Sequence, residues 1–240
     1  MAWRSSGRTN AALIANLAQN GIIHSELVST AMSKVDRAHY VRDKLHAYED
    51  SPQHIGYDAT ISAPHMHAYA IEHLLPYLKP GAKVLDVGSG SGYLSAVLYH
   101  LVVSPSGTEG KVVAIEHIPE LVDWAVDNLK KDGLGNALSD RRLIMMAGDG
   151  RKGYVQEAPY DAIHVGAAAP TMPQALVDQL ASPGRMFIPV GTDRQVIILV
   201  DKDASGNVRE EEIMNVMYVP LTDRKTVSRL LRPFPKSTTT

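Results

Sequence analysis

Cysteine is absent from the 240 residues, which excludes a disulfide framework, a thiol nucleophile and any zinc site with sulfur ligands. Neither charge predominates: 24 lysines and arginines stand against 26 acidic residues, for a net charge of −2. Such a balance gives no general electrostatic attraction to nucleic acid or to a membrane surface. Large aromatics are scarce, with two tryptophans and two phenylalanines, so stacking platforms for single-stranded nucleic acid are few. Nowhere do about eighteen uninterrupted apolar residues occur, as a membrane helix would need. The opening Met1-Ala2-Trp3-Arg4-Ser5-Ser6-Gly7 has no apolar run of signal-peptide length, and the ending Ser237-Thr238-Thr239-Thr240 matches no lipidation or retention signal. The expectation is a cytoplasmic protein with no nucleic-acid and no membrane partner.

What is present is apolar sequence spread over the whole length, 45% of all positions, enough for one good-sized core. A single domain over 1–240 is expected, divided into 1–80, 81–223 and a tail over 224–240. Leu13, Ile14 and Leu17 repeat at helical spacing between Thr9 and Asn20, with Gly21 as a stop, and a second short helix begins at Ser25. From Tyr48 to Ile61 the text breaks into Ser-Pro, Gly and Asp, which predicts a long irregular segment of the kind that often carries function. A helix is entered at Ser62-Ala63-Pro64.

After Lys79-Pro80-Gly81 strands and helices alternate. Strands are predicted over 84–87, 112–116, 143–146, 162–165 and 185–190, with helices from Tyr93, over 119–131 and over 174–180. Strands this apolar, separated by helices, imply a doubly wound, mostly parallel α/β sheet covered on both faces. Runs over 196–200 and 213–219, joined through Ser205-Gly206-Asn207, predict an antiparallel edge hairpin.

The strongest local signal is Val84-Leu85-Asp86-Val87-Gly88-Ser89-Gly90-Ser91-Gly92. A buried strand runs straight into a glycine-rich turn, where a ligand can approach main-chain amides with no Cβ in the way. A dinucleotide fingerprint wants G-x-G-x-x-G and an acid about 20 residues on; here the glycines read G-x-G-x-G, and Glu116 lies 28 residues beyond Gly88. Asp86 inside the turn strand would serve a pyrophosphate poorly and suits a ligand carrying sulfonium and ammonium charges. Acids at the ends of three successive strands, Asp86, Glu116 and Asp149, outweigh the alternative that the turn is a generic strand-to-helix connection.

These residues resemble the class I methyltransferase motif. The resemblance implies that the turn holds the amino-acid part of S-adenosylmethionine, that Glu116 binds both ribose hydroxyls, and that Asp149-Gly150 meets the adenine. Three more segments are narrower. Ile61-Ser62-Ala63-Pro64-His65-Met66-His67-Ala68, Tyr160-Asp161-Ala162-Ile163-His164-Val165-Gly166-Ala167-Ala168 and Tyr218-Val219-Pro220-Leu221-Thr222-Asp223 resemble the protein L-isoaspartate (D-aspartate) O-methyltransferases. The likeness runs from Met1 to about Asp223, and departs from the family pattern in the loop 104–110 and in the tail bearing Arg224, Lys225, Arg229 and Arg232.

The resemblance implies a seven-stranded Rossmann-like sheet and methylation of the free α-carboxylate of isoaspartyl residues in damaged proteins, giving S-adenosylhomocysteine and an ester that closes to a succinimide. It implies a monomer, Ser62 as the catalytic residue, and a cofactor pocket of Ala59, Thr60, Ile61, Ser62, His67, Asp86, Gly88, Gly90, Glu116, Asp149, Gly150 and Thr222. The competing reading of Ser62 is a helix N-cap. His65 and His67, two apart, point to nearly opposite sides of a helix and make no compact metal pair. His164, in an apolar strand, reads as a satisfied core histidine, and no metal is expected. Val219-Pro220-Leu221 reads equally as a wall for an extended peptide or as an edge strand closed by proline. A methyltransferase for small molecules or nucleic acid, a NAD-dependent oxidoreductase and a non-catalytic binding module are the rival readings.

Overall fold

A computed structural model of the protein describes residues 5–103 and 110–221. Both departures from the family pattern, except Gly110, therefore lie outside the described residues, as does Thr222. Helix α1 (Asn10–Gln19) starts where the Thr9 side chain accepts from Ala12 N, and it buries Leu13, Ile14 and Leu17. Helix α2 (Glu26–Ser33) starts likewise at Ser25, which accepts from Leu27 N.

The stretch expected to be irregular contains a hairpin, β1 (Gln53–Gly56) paired antiparallel with β2 (Ala59–Ile61). Its turn residues Tyr57 and Asp58 both take left-handed backbone conformations, φ 56° and 57°. Sequence patterns assign that conformation to glycine or asparagine, so the turn carries no signal in its text. Helix α3 (Pro64–Leu74) follows, with proline in its first turn.

From there come β3 (Lys83–Val87), α4 (Tyr93–Val102), β4 (Lys111–Glu116), α5 (Pro119–Lys131), α6 (Gly135–Ser139), β5 (Leu143–Ala147), β6 (Tyr160–Val165), α7 (Gln174–Asp178), β7 (Leu180–Val190), β8 (Gln195–Lys202) and β9 (Val208–Val216). The seven-stranded sheet has the order β5-β4-β3-β6-β7-β8-β9. Pairing is parallel from β5 to β7 and antiparallel at β7–β8 and β8–β9. Neighbouring strand residues go to opposite faces: Val84 and Val112 join the core beneath α1 to α5, while Leu85, Val113, Ile163 and Val165 join the other. Burial on both faces is why these strands read as unbroken apolar runs.

The last strand departs from expectation, spanning 208–216 rather than 213–219. Its first half, Val208-Arg209-Glu210-Glu211-Glu212, is exposed on both sides, and an edge strand with no buried face has no alternating pattern to read. Charges along it also keep the edge from pairing with other chains. The chain runs outward from β3 through β4 to β5 and then crosses back from β5 to β6 on the other side of β3, so the crevice at the carboxyl ends of β3 and β6 is the switch point where such sheets bind ligands. No helix among the described residues is long and apolar enough to cross a membrane.

Candidate active site

β3 ends in the glycine turn, where Gly88, Gly90 and Gly92 have φ of 75°, 53° and 85°, a region costly for any residue with a Cβ. The turn is tied to the neighbouring strand: Gly88 N and Ser89 N donate to Ile115 O at 2.8 and 3.1 Å. Gly90 N donates to Glu116 Oε2 at 3.0 Å. Glu116 Oε1 accepts from Ile118 N at 3.1 Å and faces His117 Nδ1 at 2.9 Å. With three donors on a carboxylate that has about four acceptor positions, one position stays open, and a second opens if the His117 ring turns away.

Asp86 is 1% exposed. Its Oδ2 accepts from Ser95 Oγ at 2.5 Å and its Oδ1 from His164 Nδ1 at 2.8 Å. A carboxylate can only accept, so the His164 proton sits on Nδ1. The parallel register places Asp86 beside His164, and the imidazole stacks on Phe187 with 6.1 Å between centroids. His164 is thus a satisfied core histidine, and it also lines the cleft described below.

β2 leads directly into Ser62. Ala63, not Ser62, occupies the cap position of α3, and no side chain caps that helix, so capping does not explain the serine. The Ser62 carbonyl accepts from Arg37 Nη2 at 2.9 Å. Arg37 is fully buried, and its Nε and Nη1 have no partner. Burial lowers its guanidinium to about 10, while Tyr93 and Asp50 act in the opposite sense, so it stays a cation at neutral pH. The His67 ring lies 5.0 Å from that of Tyr93. Burial above all, then Arg37, His164 and His65, holds His67 well below its ordinary pKa and therefore neutral. His65 turns the other way, with its Nδ1 2.8 Å from Asp50 Oδ1. Among the described residues no three histidines or carboxylates cluster to hold a metal.

These elements line a cleft open to solvent. Of the residues singled out from sequence, Thr60, Ile61, Ser62, His67, Asp86, Gly88 and Gly90 line it. Ser89, Ser91, Tyr93, Leu94, His164 and Gly166 line it too; the first four fell inside or just after the glycine motif and were visible there. Ala59, Glu116, Asp149 and Gly150 are not on this wall. Glu116 stands one hydrogen bond behind Gly90, and Asp149 is gripped by Arg151 through Nε and Nη2, both at 2.9 Å. Gly150 has a packing reason, since a Cβ there would collide with the Val87 side chain.

Next to the cleft runs an open groove between the start of α3 and the segment after β9. That segment pairs with the chain just beyond β6: Ala168 N donates to Val219 O and Leu221 N to Ala168 O, both at 2.8 Å. Gln195 clamps Tyr218 like a rung of sheet, its Oε1 accepting from Tyr218 N at 2.6 Å and its Nε2 donating to Tyr218 O at 3.2 Å. Burial pushes the Tyr218 phenol up to about 12, against the opposing pull of a hydrogen-bonding interaction with the Ser62 side chain. Val219 lines the groove, whereas Leu221 is buried in the core.

The family model described as protein-L-isoaspartate(D-aspartate) O-methyltransferase matches residues 8–226. The chain belongs to that family. An Arabidopsis thaliana relative, protein-L-isoaspartate O-methyltransferase 1, is 49% identical over 94% of this chain and 96% of its own. A Caenorhabditis elegans protein-L-isoaspartate O-methyltransferase is 48% identical over 94% and 97%. The fold matches a Plasmodium falciparum protein assigned to the same activity and crystallised with S-adenosyl-L-homocysteine, with a TM-score of 0.84 and 32% identity over 91% of this chain and 100% of that one.

As a member of the isoaspartyl methyltransferase family, the protein uses S-adenosylmethionine as methyl donor, and the cleft's own chemistry fits it. The Ser89 hydroxyl and His67 Nδ1 are buried on the cleft wall with no partner in the protein, so both are free for a polar ligand. The left-handed glycines leave the backbone bare, and the Asp86 carboxylate supplies negative charge to a ligand with two cationic groups.

Proposed function

We propose that this cleft and groove methylate the free α-carboxylate of L-isoaspartyl, and also D-aspartyl, residues in damaged proteins and peptides, the first step of repair through a succinimide. One observation carries the assignment of the site: Thr60, Ser62 and Gly166 line both the cleft and the groove. A methyl donor in the one and an acceptor in the other therefore meet at Ser62. In this reading Asp86, Gly88, Gly90, Thr60, Ile61 and His67 hold the donor's amino-acid and sulfonium end, Glu116 takes a ribose hydroxyl, and Ala59, Asp149 and Gly150 complete the far side; Thr222, outside the described residues, is assigned to the pocket by the family motif alone.

S-adenosylmethionine supplies a methyl group on a positively charged sulfur. The acceptor carboxyl, with a reference pKa of roughly 3.5, is already an anion and needs no general base. A neutral His67 agrees with that. The buried Arg37 cation, directly behind the Ser62 peptide, gives the place where the carboxylate sits a positive potential, which serves capture. A hydroxyl donor from Ser62 stabilises the charged ground state at least as well as the partly neutralised transition state. Its contribution is alignment, holding one carboxylate oxygen in line for displacement. Opposite charges disappear in the reaction, which a water-poor cleft favours.

We further read the protein as a cytoplasmic monomer of one domain, 1–240, acting on peptides rather than nucleic acid and needing no metal. The test is methyl transfer from labelled S-adenosylmethionine to two synthetic peptides identical except for L-isoaspartate or L-aspartate at one position. Transfer confined to the isoaspartyl peptide is expected. Equal labelling of both, or of neither by an enzyme that binds the donor, overturns the acceptor assignment.

A further inference from the structure

The acceptor groove does not end at α3. His65, Met66 and Met214 line it and also line a second, solvent-open cavity, reached by passing between α3 and β9. Ile22, beyond the end of α1, and Tyr69, one turn along α3 from His65 and Met66, form its remaining apolar walls. Tyr69 is braced from behind, with its ring 4.2 Å from His73 and 6.3 Å from Phe187.

We propose that this cavity is a side-chain subsite for an aliphatic or aromatic residue close to the isoaspartyl residue in the substrate chain. The inference rests on the acceptor reading above, because the groove leading from Ser62 supplies the occupant. Three observations favour an apolar side chain. First, the walls are apolar and partly exposed, Met214 to 38%, so an occupant removes hydrocarbon surface from water on both sides. Second, much of the polar rim is already hydrogen-bonded within the protein. Glu72 Oε1 accepts from His24 N and Ser25 N, both at 2.8 Å, His73 Nδ1 lies 2.9 Å from Tyr69 O, and His65 Nδ1 is held by Asp50. An apolar group entering here breaks none of these bonds, whereas an acidic one meets Glu72 and loses its water. Third, two of the walls are methionines, whose unbranched side chains adapt to occupants of different shape. A repair enzyme faces damage in many sequence contexts, and such a pocket rewards apolar neighbours without demanding one particular residue.

The experiment measures initial rates on isoaspartyl peptides in which the flanking positions on each side carry, in turn, glycine, leucine, phenylalanine, aspartate or lysine. At one position leucine or phenylalanine should lower KM about tenfold relative to glycine, with kcat changed less than about twofold. Ile22→Asp should abolish that preference and leave the glycine peptide's KM where it was. Equal KM for leucine, phenylalanine and glycine at every position overturns the subsite, as does a preference for lysine or one that survives in Ile22→Asp. The wild-type scan decides the matter alone if Ile22→Asp does not fold. Turnover of the glycine peptide keeps failure of the subsite distinct from failure of the acceptor assignment.

Discussion

Gln195→Ala removes the clamp on Tyr218 without touching the cofactor cleft. Two hydrogen bonds go, at 2.6 and 3.2 Å, each worth about 1 kcal/mol net between uncharged partners. The segment stays attached through the two 2.8 Å bonds between Ala168 and residues Val219 and Leu221, and through the buried Leu221 side chain. It should loosen around Tyr218 rather than detach, by about 1 to 2 kcal/mol. If that ordering is restored when a peptide fills the groove, KM for an isoaspartyl peptide should rise about tenfold, since about 1.4 kcal/mol is a factor of ten. The affinity for S-adenosylhomocysteine, read by calorimetry, should stay within about twofold. Gln195→Glu keeps the acceptor for Tyr218 N but sets an acceptor-only carboxylate oxygen against Tyr218 O, so it should be no milder than Gln195→Ala. The melting temperature should drop by a few degrees, at roughly 2–4 °C per kcal/mol for a chain of this size. A lowered melting temperature with an unchanged peptide KM would refute the reasoning and leave the clamp purely structural.

Two further outcomes follow from the site. Ser62→Ala should lower kcat while keeping every ionisation in the wild-type pH–rate profile, because an aligning hydroxyl has no proton to take; loss of an ionisation would mean that Ser62 activates the acceptor. His67 has a folded pKa well below the 6.5 of the unfolded chain, so the unfolded state binds the extra proton first as pH falls. Its contribution to stability is complete above about pH 6.5 and is lost below it, at up to about 1.4 kcal/mol per pH unit until the folded-state pKa is reached. Urea unfolding between pH 7.5 and 5 should show a shallower decline for His67→Phe than for wild type, and parallel declines would count against a buried neutral imidazole.

The sheet, the cofactor turn and the family were legible in the chain because each rests on local pattern. Strands buried on both faces have no choice but continuous apolar text, and a backbone that must take three left-handed conformations in five residues is written as Gly88, Gly90 and Gly92. Ser62 could be singled out by its motif, though whether it capped α3 could not, because capping depends on where the helix begins, and it begins one residue later. The β1–β2 hairpin hid behind Tyr57 and Asp58, neither of them glycine, which both take left-handed conformations. The first half of β9 hid because an edge strand exposed on both sides has no buried face to mark. Beyond these, the decisive contacts join residues remote in sequence. Parallel register brings His164 to Asp86, 78 positions away, and chain reversal lays Tyr218 over Ser62. The packing of the N-terminal helices drives Arg37 in behind that serine. A sequence determines such partners only through the folded chain, since nothing in the spacing of Arg37, Ser62, Gln195 and Tyr218 makes them neighbours until the sheet has twisted and closed its crevice.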